Sequence, residues 1–321
     1  MTDDARPAPI RNRLTEVLGV DYPIVQAPMG YIARAQLASA VYKAGALGII
    51  ETSSGQLDQV REEVKKMRDL TDKPFGFNIA QLFVHDPDIV DFVHEHDVRF
   101  VTTSAGDPSH YTEALHEAGI TVFHVVPSLR AALKAIAAGV DGIVAEGGEG
   151  GGFKASRDVA SMVLLPLVCE QTDVPVIAAG GICDGRSMAA AFALGAQGVQ
   201  MGTRMVSAAE SPVHDNYKQL IVDAPETATV FLNRWHKPSF RVLATPFSEA
   251  LEQSSERVGI ASLDRLLDLY FNGNLDAAFA FGGQVAGRID GVRPVAEIID
   301  ATIGEFYATI ASLGAEYHDR P

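Results

Sequence analysis

Short runs of consecutive apolar residues alternate along this chain with longer stretches in which apolar positions recur at i, i+3 and i+4. Eight runs read as strands: Pro23–Ala27, Leu47–Ile50, Phe75–Ile79, Arg99–Thr103, Thr121–Val125, Gly142–Ala145, Pro175–Ala179 and Gly198–Met201. Their starts lie 21 to 28 residues apart, except for one step of 33. The intervening stretches, such as Ala35–Ala44, Leu57–Leu70, Ser128–Ala138 and Gly185–Leu194, carry the helical period. Many close on glycine just before the next strand, as at Gly45, Gly119, Gly139 and Gly195, where a helix C-cap belongs. Continuous apolar strands between amphipathic helices predict a parallel sheet covered by helices. Eight such units predict closure into a (β/α)8 barrel. An open, doubly wound sheet would place a G-x-G-x-x-G fingerprint after the first strand, and none is there.

The alternation stops after Arg204. Residues 207–280 read as mainly helical, with Ser254–Phe271 one amphipathic piece. The expected organisation is a barrel made of 1–224 and 281–321, with a small helical subdomain, 225–280, over its mouth as a lid on the substrate. Ala280–Gly287 returns to small residues and glycine, and Val295–Leu313 predicts a final helix packed back on the barrel.

Composition narrows the class. With 47% apolar and 21% charged residues, the chain of 321 can bury a large core. A formal charge of −15 repels nucleic acid and anionic membrane surfaces. There is no apolar leader and no run long enough to span a bilayer, so the expectation is a cytoplasmic protein acting on a small molecule. Cys169 and Cys183 are the only cysteines, and no Cys or His spacing suggests a metal site. Oligomeric state is left open, with a homodimer among the options.

Barrel chemistry sits at the C-terminal ends of the strands. There the chain places Gln26-Ala27-Pro28-Met29, Asn78, His124, the run Glu146-Gly147-Gly148-Glu149-Gly150-Gly151-Gly152-Phe153, and two late glycine turns, Gly180-Gly181 and Gly202-Thr203. The two turns are one βα unit apart and end neighbouring strands. Bare backbone N–H groups at this place in a barrel hold a phosphate.

Six segments together resemble the nitronate monooxygenase (2-nitropropane dioxygenase) family, whose relatives include flavin-dependent enoyl-thioester reductases and NAD(P)H:quinone reductases. They are Pro-Ile-Val-Gln-Ala-Pro-Met at 23–29, Phe-Gly-Phe-Asn at 75–78, Ala-Glu-Gly-Gly-Glu-Gly-Gly-Gly at 145–152, Val-Ile-Ala-Ala-Gly-Gly-Ile-Cys-Asp-Gly at 176–185, Gly-Val-Gln-Met-Gly-Thr-Arg at 198–204 and Phe-Gly-Gly-Gln at 281–284. The resemblance implies non-covalent FMN, with NADH or NADPH as a candidate electron donor. It implies that Gly180, Gly181, Gly202 and Thr203 hold the phosphate. Ala27, Pro28, Met29 and Asn78 would border the isoalloxazine, Gly152 would lie against it, Gly283 and Gln284 would line the ring region, and Glu146 would reach the ribityl hydroxyls.

One position departs from the family pattern. Where relatives carry a histidine as acid or base near the flavin, this chain has Phe153, which cannot transfer a proton. His124, at the end of the fifth strand, is the candidate replacement, with a structural role as the alternative. Lys154, Ser156 and Arg157 either bind an anionic group of a thioester carrier or nicotinamide, or form a solvated loop. His214 either anchors a turn or takes part in catalysis. Trp235, His236 and Lys237 either cap the pocket or pack within the subdomain. The resemblance thus implies an FMN-dependent oxidoreductase of the nitronate monooxygenase type. The alternatives are an NAD(P)H-dependent reductase of an enoyl thioester or quinone, favoured by Phe153, and a flavin-binding barrel without turnover.

Overall fold

The computed structural model describes residues 6–72, 74–254, 257–259 and 265–318. All eight expected barrel strands are present: β1 (Ile24–Gln26), β2 (Ile49–Ile50), β3 (Gly76–Ala80), β4 (Phe100–Ser104), β5 (Thr121–Val126), β6 (Gly142–Glu146), then β8 (Val176–Ala179) and β9 (Gly198–Met201) after a short extra strand, β7 (Gly152–Lys154). The parallel order is β1-β9-β8-β6-β5-β4-β3-β2. A parallel bridge between Val25 and Leu47 joins the two ends, so the sheet closes into a barrel.

Alternation along the strands divides the core in two. Val25, Ile49, Phe100, Phe123, Val144 and Ile177 point inward and fill the barrel with Leu14 and Leu18 of α1 (Arg13–Leu18), which plugs the N-terminal end. Asn12 starts that helix with a capping box, accepting from the Thr15 N–H while its own N–H donates to the Thr15 hydroxyl. The other strand face packs on the surrounding helices, through Ile24, Ile50, Phe77, Val101 and Val122 among others. Glycine is needed inside the barrel where rings are large. A Cβ on Gly142 would lie 2.2 Å from the Phe123 ring.

The outer ring consists of α2 (Ala35–Lys43), α3 (Leu57–Leu70), α4 (Ile89–Glu95), α5 (Ser109–Glu117), α6 (Leu129–Ala137), α7 (Ser161–Cys169) and α8 (Gly185–Ala193). The short α9 (Thr203–Val206) and then α10 (Asp215–Val222) follow β9. The long C-terminal α13 (Val295–Tyr317) packs on α8 and α2, as expected of a helix returning to the barrel. Among the described residues no helix is long and apolar enough to cross a membrane.

The segment 225–280 differs from expectation. It contains α11 (Pro246–Gln253) and α12 (Leu266–Asn272), but also an antiparallel hairpin of β10 (Thr229–Leu232) and β11 (Ser239–Leu243). The third strand of that sheet is β7 from the barrel's own glycine loop, pairing Ser239 with Lys154 and Phe240 with Phe153. The reason is local: Thr-Val-Phe-Leu and Ser-Phe-Arg-Val-Leu are β-branched and aromatic runs around a turn. The single helix expected over Ser254–Phe271 is also corrected. Residues 257–259 are not helical and α12 begins at Leu266, while 255, 256 and 260–264 lie outside the described residues.

Candidate active site

A cavity of about 560 Å3 opens at the C-terminal ends of the barrel strands. Ala27, Pro28 and Met29 after β1, Asn78 on β3, Glu146 on β6, Gly152 and Phe153 on β7, Gly180 and Gly181 after β8, Gly202 and Thr203 after β9, and Gly283 all line it. The strand periodicity that closes the barrel therefore brings together residues spread over most of the sequence.

Its floor is backbone. Gly180 and Gly181 line it at φ of +88° and +76°, a conformation taken at little cost only because they lack a Cβ. Beside them Gly202 opens α9. The Thr203 hydroxyl accepts from the Gly283 N–H at 3.0 Å, which ties the 281–283 segment to the end of β9 and leaves the hydroxyl proton free to donate. The glycine loop after β6 lies against that same segment, because a Cβ on Gly151 would fall 2.5 Å from the Gly282 carbonyl carbon.

Polar side chains in the wall are held by partners. Asn78 is buried, and its Nδ2 donates to the Thr102 carbonyl at 3.0 Å, the Thr102 hydroxyl at 3.1 Å and the Ser104 hydroxyl at 3.3 Å. Glu149 accepts from the Ser161 N–H and hydroxyl and so caps α7. Asp158 pairs with Arg241 at 3.2 Å and Arg234 at 3.6 Å. Gln200 is the exception: its Oε1 is buried in the cavity wall with no hydrogen-bond partner among the described residues. A buried acceptor left this way carries a desolvation cost that a bound donor would relieve.

Position 153 is an aromatic wall. Phe153 meets Phe83 edge-on at 5.5 Å and Phe240 at 5.1 Å, with Phe281 tilted at 5.9 Å. Among the described residues no histidine lines the cavity.

Three candidate residues lie elsewhere. His124 sits between the inward Phe123 and Val125 on β5, so it faces the helix layer. It is buried there, 2.7 Å from the Thr103 hydroxyl through Nδ1, and burial pushes its pKa down to about 4. It is outside the cavity lining. Gln284 begins a 3-10 turn, Gln284–Arg288, and its side chain is exposed while its N–H donates to the Glu149 carbonyl at 2.9 Å. The glycine before it occupies the cavity wall, so the one-residue step turns Gln284 away. His214 caps α10, accepting from the Asn216 N–H at 3.1 Å, and is likewise outside the cavity lining.

Tyr217, Tyr270 and the buried Arg241 behind the wall were not evident from sequence, whereas Glu51 stands at the end of the second strand. Tyr217 of α10 and Tyr270 of α12 stack at 5.2 Å, fully buried, and both line the cavity. Burial raises both phenol pKa values, so both stay protonated, and the Tyr217 hydroxyl donates to the Phe281 carbonyl at 2.5 Å. Arg241 is buried and donates to the Gly148 carbonyl at 2.7 Å as well as to Asp158, binding hairpin to glycine loop. Glu51 is fully buried under the rim and takes hydrogen bonds from Arg34 at 2.9 Å, the Tyr31 N–H at 3.1 Å and the Ser54 N–H at 2.8 Å. These contacts hold Tyr31 at φ +65°, a left-handed conformation costly for a tyrosine and found where a site over-determines its backbone.

Comparison with known proteins decides the family. The family model described as nitronate monooxygenase matches residues 11–96 and 80–305. The chain belongs to the nitronate monooxygenase family. It is 38% identical over 256 residues, covering 79% of this chain and 72% of the relative, to a Mycobacterium tuberculosis protein named (3aS,4S,5R,7aS)-5-hydroxy-7a-methyl-1-oxo-octahydro-1H-indene-4-carboxyl-CoA dehydrogenase. It is 32% identical over 267 residues, covering 69% of this chain and 73% of the relative, to a nitronate monooxygenase of Paraburkholderia phytofirmans. Among solved structures, FabK from Thermotoga maritima superimposes with a TM-score of 0.89 at 39% identity, covering 95% of this chain and 99% of FabK. This nitronate monooxygenase family member is accordingly an oxidoreductase of the flavin-dependent kind, an enzyme rather than a barrel without turnover.

The site fits a flavin. The glycine floor, the unpartnered Gln200 Oε1 and the open space over Gly152, where a Cβ would meet nothing within 4 Å, leave room and donors or acceptors for a ring system and its phosphate tail. The cavity volume is within the range of about 300–1,000 Å3 that holds such ligands.

Proposed function

We propose that this chain is an FMN-dependent oxidoreductase that reduces the carbon–carbon double bond of an enoyl thioester. A hydride would reach the β-carbon from reduced FMN and a proton from water at the open cavity mouth would reach the α-carbon, with NADH or NADPH as the source of the electrons. The observation that carries this reading is Phe153. The position at which the family resemblance implies a catalytic imidazole is here packed into an aromatic wall. The carboxylates nearby are engaged by Lys154, Ser161 and Arg241. Such a wall excludes water and orients an apolar acyl group. It does not offer a free base for taking a proton from a nitroalkane. The CoA ester named for the Mycobacterium tuberculosis relative supports the same substrate class.

Bound FMN supplies a two-electron acceptor and donor. Gly180, Gly181, Gly202 and Thr203 would hold its phosphate through main-chain N–H groups and the Thr203 hydroxyl. Met29, with Ala27 and Pro28, would border the ring through backbone, and Asn78 through Oδ1, the amide atom not engaged by Thr102 or Ser104. Gly152 would allow close approach, Gly283 would close the ring end, and Glu146 would meet the ribityl hydroxyls. Leu266 and Tyr270 line the cavity, which supports 225–280 as its cover. NADH or NADPH would return electrons when the enzyme runs as a reductase.

A second reading, nitronate oxidation with dioxygen, is favoured by the family model and by the Paraburkholderia phytofirmans relative. Anaerobic titration of the purified flavoprotein tests both. Bleaching of the visible absorbance by NADH or NADPH, followed by recolouring with an enoyl thioester, is the expected result. Bleaching by an alkyl nitronate alone would establish the second reading.

A further inference from the structure

Trp235 is the chain's only tryptophan, and 77% of it is exposed. It was expected either to cap the pocket or to pack inside the subdomain, and it does not pack. It stands at the tip of the β10–β11 hairpin between Arg234 and the pair His236-Lys237, all exposed. In a chain carrying −15, no acidic residue occurs from Thr229 to Leu243.

The tip is fixed in place. Asn233, at φ +55°, donates through Nδ2 to the carbonyls of Pro238 and Val258, both at 2.7 Å, and accepts from the Val258 N–H at 3.0 Å. The His236 N–H returns to the Asn233 carbonyl at 2.8 Å, and the Arg257 guanidinium holds the Lys237 carbonyl. An aromatic face is thus presented to solvent on a loop whose ordering has already been supplied by its own hydrogen bonds, the condition under which stacking costs least.

The tip also stands at the rim of the cavity. Ser239, two residues beyond Lys237, pairs with Lys154, and Lys154, Ala155 and Asp158 line the cavity. Lys237 lies two residues before that pairing on one strand, and the exposed Arg157 three residues after it on the other. Arg234 reaches back to Asp158 at 3.6 Å.

An exposed indole flanked by cations at the mouth of a redox site has the chemistry to stack a base and pair with phosphates. We propose that this hairpin tip docks the phosphorylated adenosine end of the reactant, with adenine on Trp235 and phosphates on Lys237 and Arg157. Coenzyme A and NADPH share that chemistry. The coenzyme A arm rests on the thioester reading above, and it is the one favoured here, because β7 leads from the tip directly to the aromatic wall that would take the acyl group.

The test uses the FMN-loaded enzyme and the fluorescence of its single tryptophan. CoA is expected to change the emission saturably, and pantetheine, which lacks the nucleotide, is expected not to. Trp235→Ala should raise KM for an acyl-CoA about tenfold while leaving KM for the matching acyl-pantetheine unchanged. Lys237→Glu, on the same exposed tip, should do likewise and flatten the salt dependence. A response to NADPH instead, with KM for NADPH raised in Trp235→Ala, would keep the nucleotide site and assign it to the reductant. No emission change with either nucleotide, or equal KM effects on the CoA and pantetheine esters, would overturn the proposal. Absence of any thioester turnover would defeat the proposed reaction, and the binding titration would still report on the tip.

Discussion

Lys154 Nζ lies 2.5 Å from Glu146 Oε1, so the two ends of the glycine loop between β6 and β7 are joined by charge inside the cavity wall. The lysine side chain is only 4% exposed and the glutamate 26%. A Cβ on Gly150 would fall 2.6 Å from both Lys154 Nζ and Glu146 Oε1, so the loop closes directly over the pair. Lys154→Met removes the cation and leaves the carboxylate facing the cavity without its partner. The expected loss is about 1–3 kcal/mol, at the lower end because Glu146 retains some solvent. Melting of the wild type, Lys154→Met, Glu146→Gln and the double variant checks this. The double variant should lose less than the sum of the singles.

Gly181 has φ +76° and lies on the cavity floor next to Gly180. Gly181→Asp adds backbone strain there and places a negative group where a phosphate would lie, about 4 kcal/mol of repulsion for unit charges 4 Å apart near a protein surface. The purified variant should be colourless while its far-ultraviolet circular dichroism matches wild type. Yellow protein at normal stoichiometry would remove this turn from the phosphate site.

His124 predicts a stability effect with a definite sign. Its folded pKa is pushed down to about 4 by burial, against 6.5 for an unperturbed imidazole. Between those values the unfolded chain binds the proton and the folded one does not. Its contribution is therefore complete above about pH 6.5 and is lost progressively as pH falls toward 4, by about 3 kcal/mol in all. Urea unfolding from pH 7 to pH 4 should show a steeper loss for wild type than for His124→Gln. The same variant should keep a neutral-pH rate profile like wild type, because the imidazole faces the helix layer.

The barrel was legible because parallel strands buried on both faces are apolar throughout, and their spacing repeats with each βα unit. The glycine turns at 180–181 and 202–203 line the cavity at the strand ends where the sequence puts them, because a positive φ such as that of Gly180 and Gly181 leaves few residue types to choose from. His124 misled because its position at a strand end was weighed without its side: with Phe123 and Val125 inward, period two sends His124 out. Gln284 misled for a similar reason, one residue beyond the last wall position. The β10–β11 hairpin had a signal in Thr-Val-Phe-Leu and Ser-Phe-Arg-Val-Leu, but its third strand, Gly152–Lys154, has none of its own. It becomes a strand only because the hairpin comes to lie beside it. Tyr217, Tyr270 and Arg241 enter the site through contacts between segments far apart in sequence, which no local pattern encodes.

Phe153 offers the sharpest test of the reaction class. Its ring sits among Phe83, Phe240 and Phe281, and it lines the cavity beside Gly152. Phe153→His puts an imidazole where the family resemblance implies one, losing edge-on aromatic contacts worth about 1 kcal/mol. A neutral imidazole, unlike a phenyl ring, can accept a proton. The expected result is faster oxidation of a neutral nitroalkane, whose α-proton the imidazole can take, rising with pH as the ring becomes neutral, together with slower turnover of acyl thioesters as the dry wall gains a polar group. Phe153→Leu separates proton transfer from loosened packing: it keeps the wall apolar, so its nitroalkane rate should stay at the wild-type value. Equal gains in both variants would mean that extra room rather than a base limits nitroalkane oxidation. No gain in either would mean that the aromatic wall itself turns such substrates away.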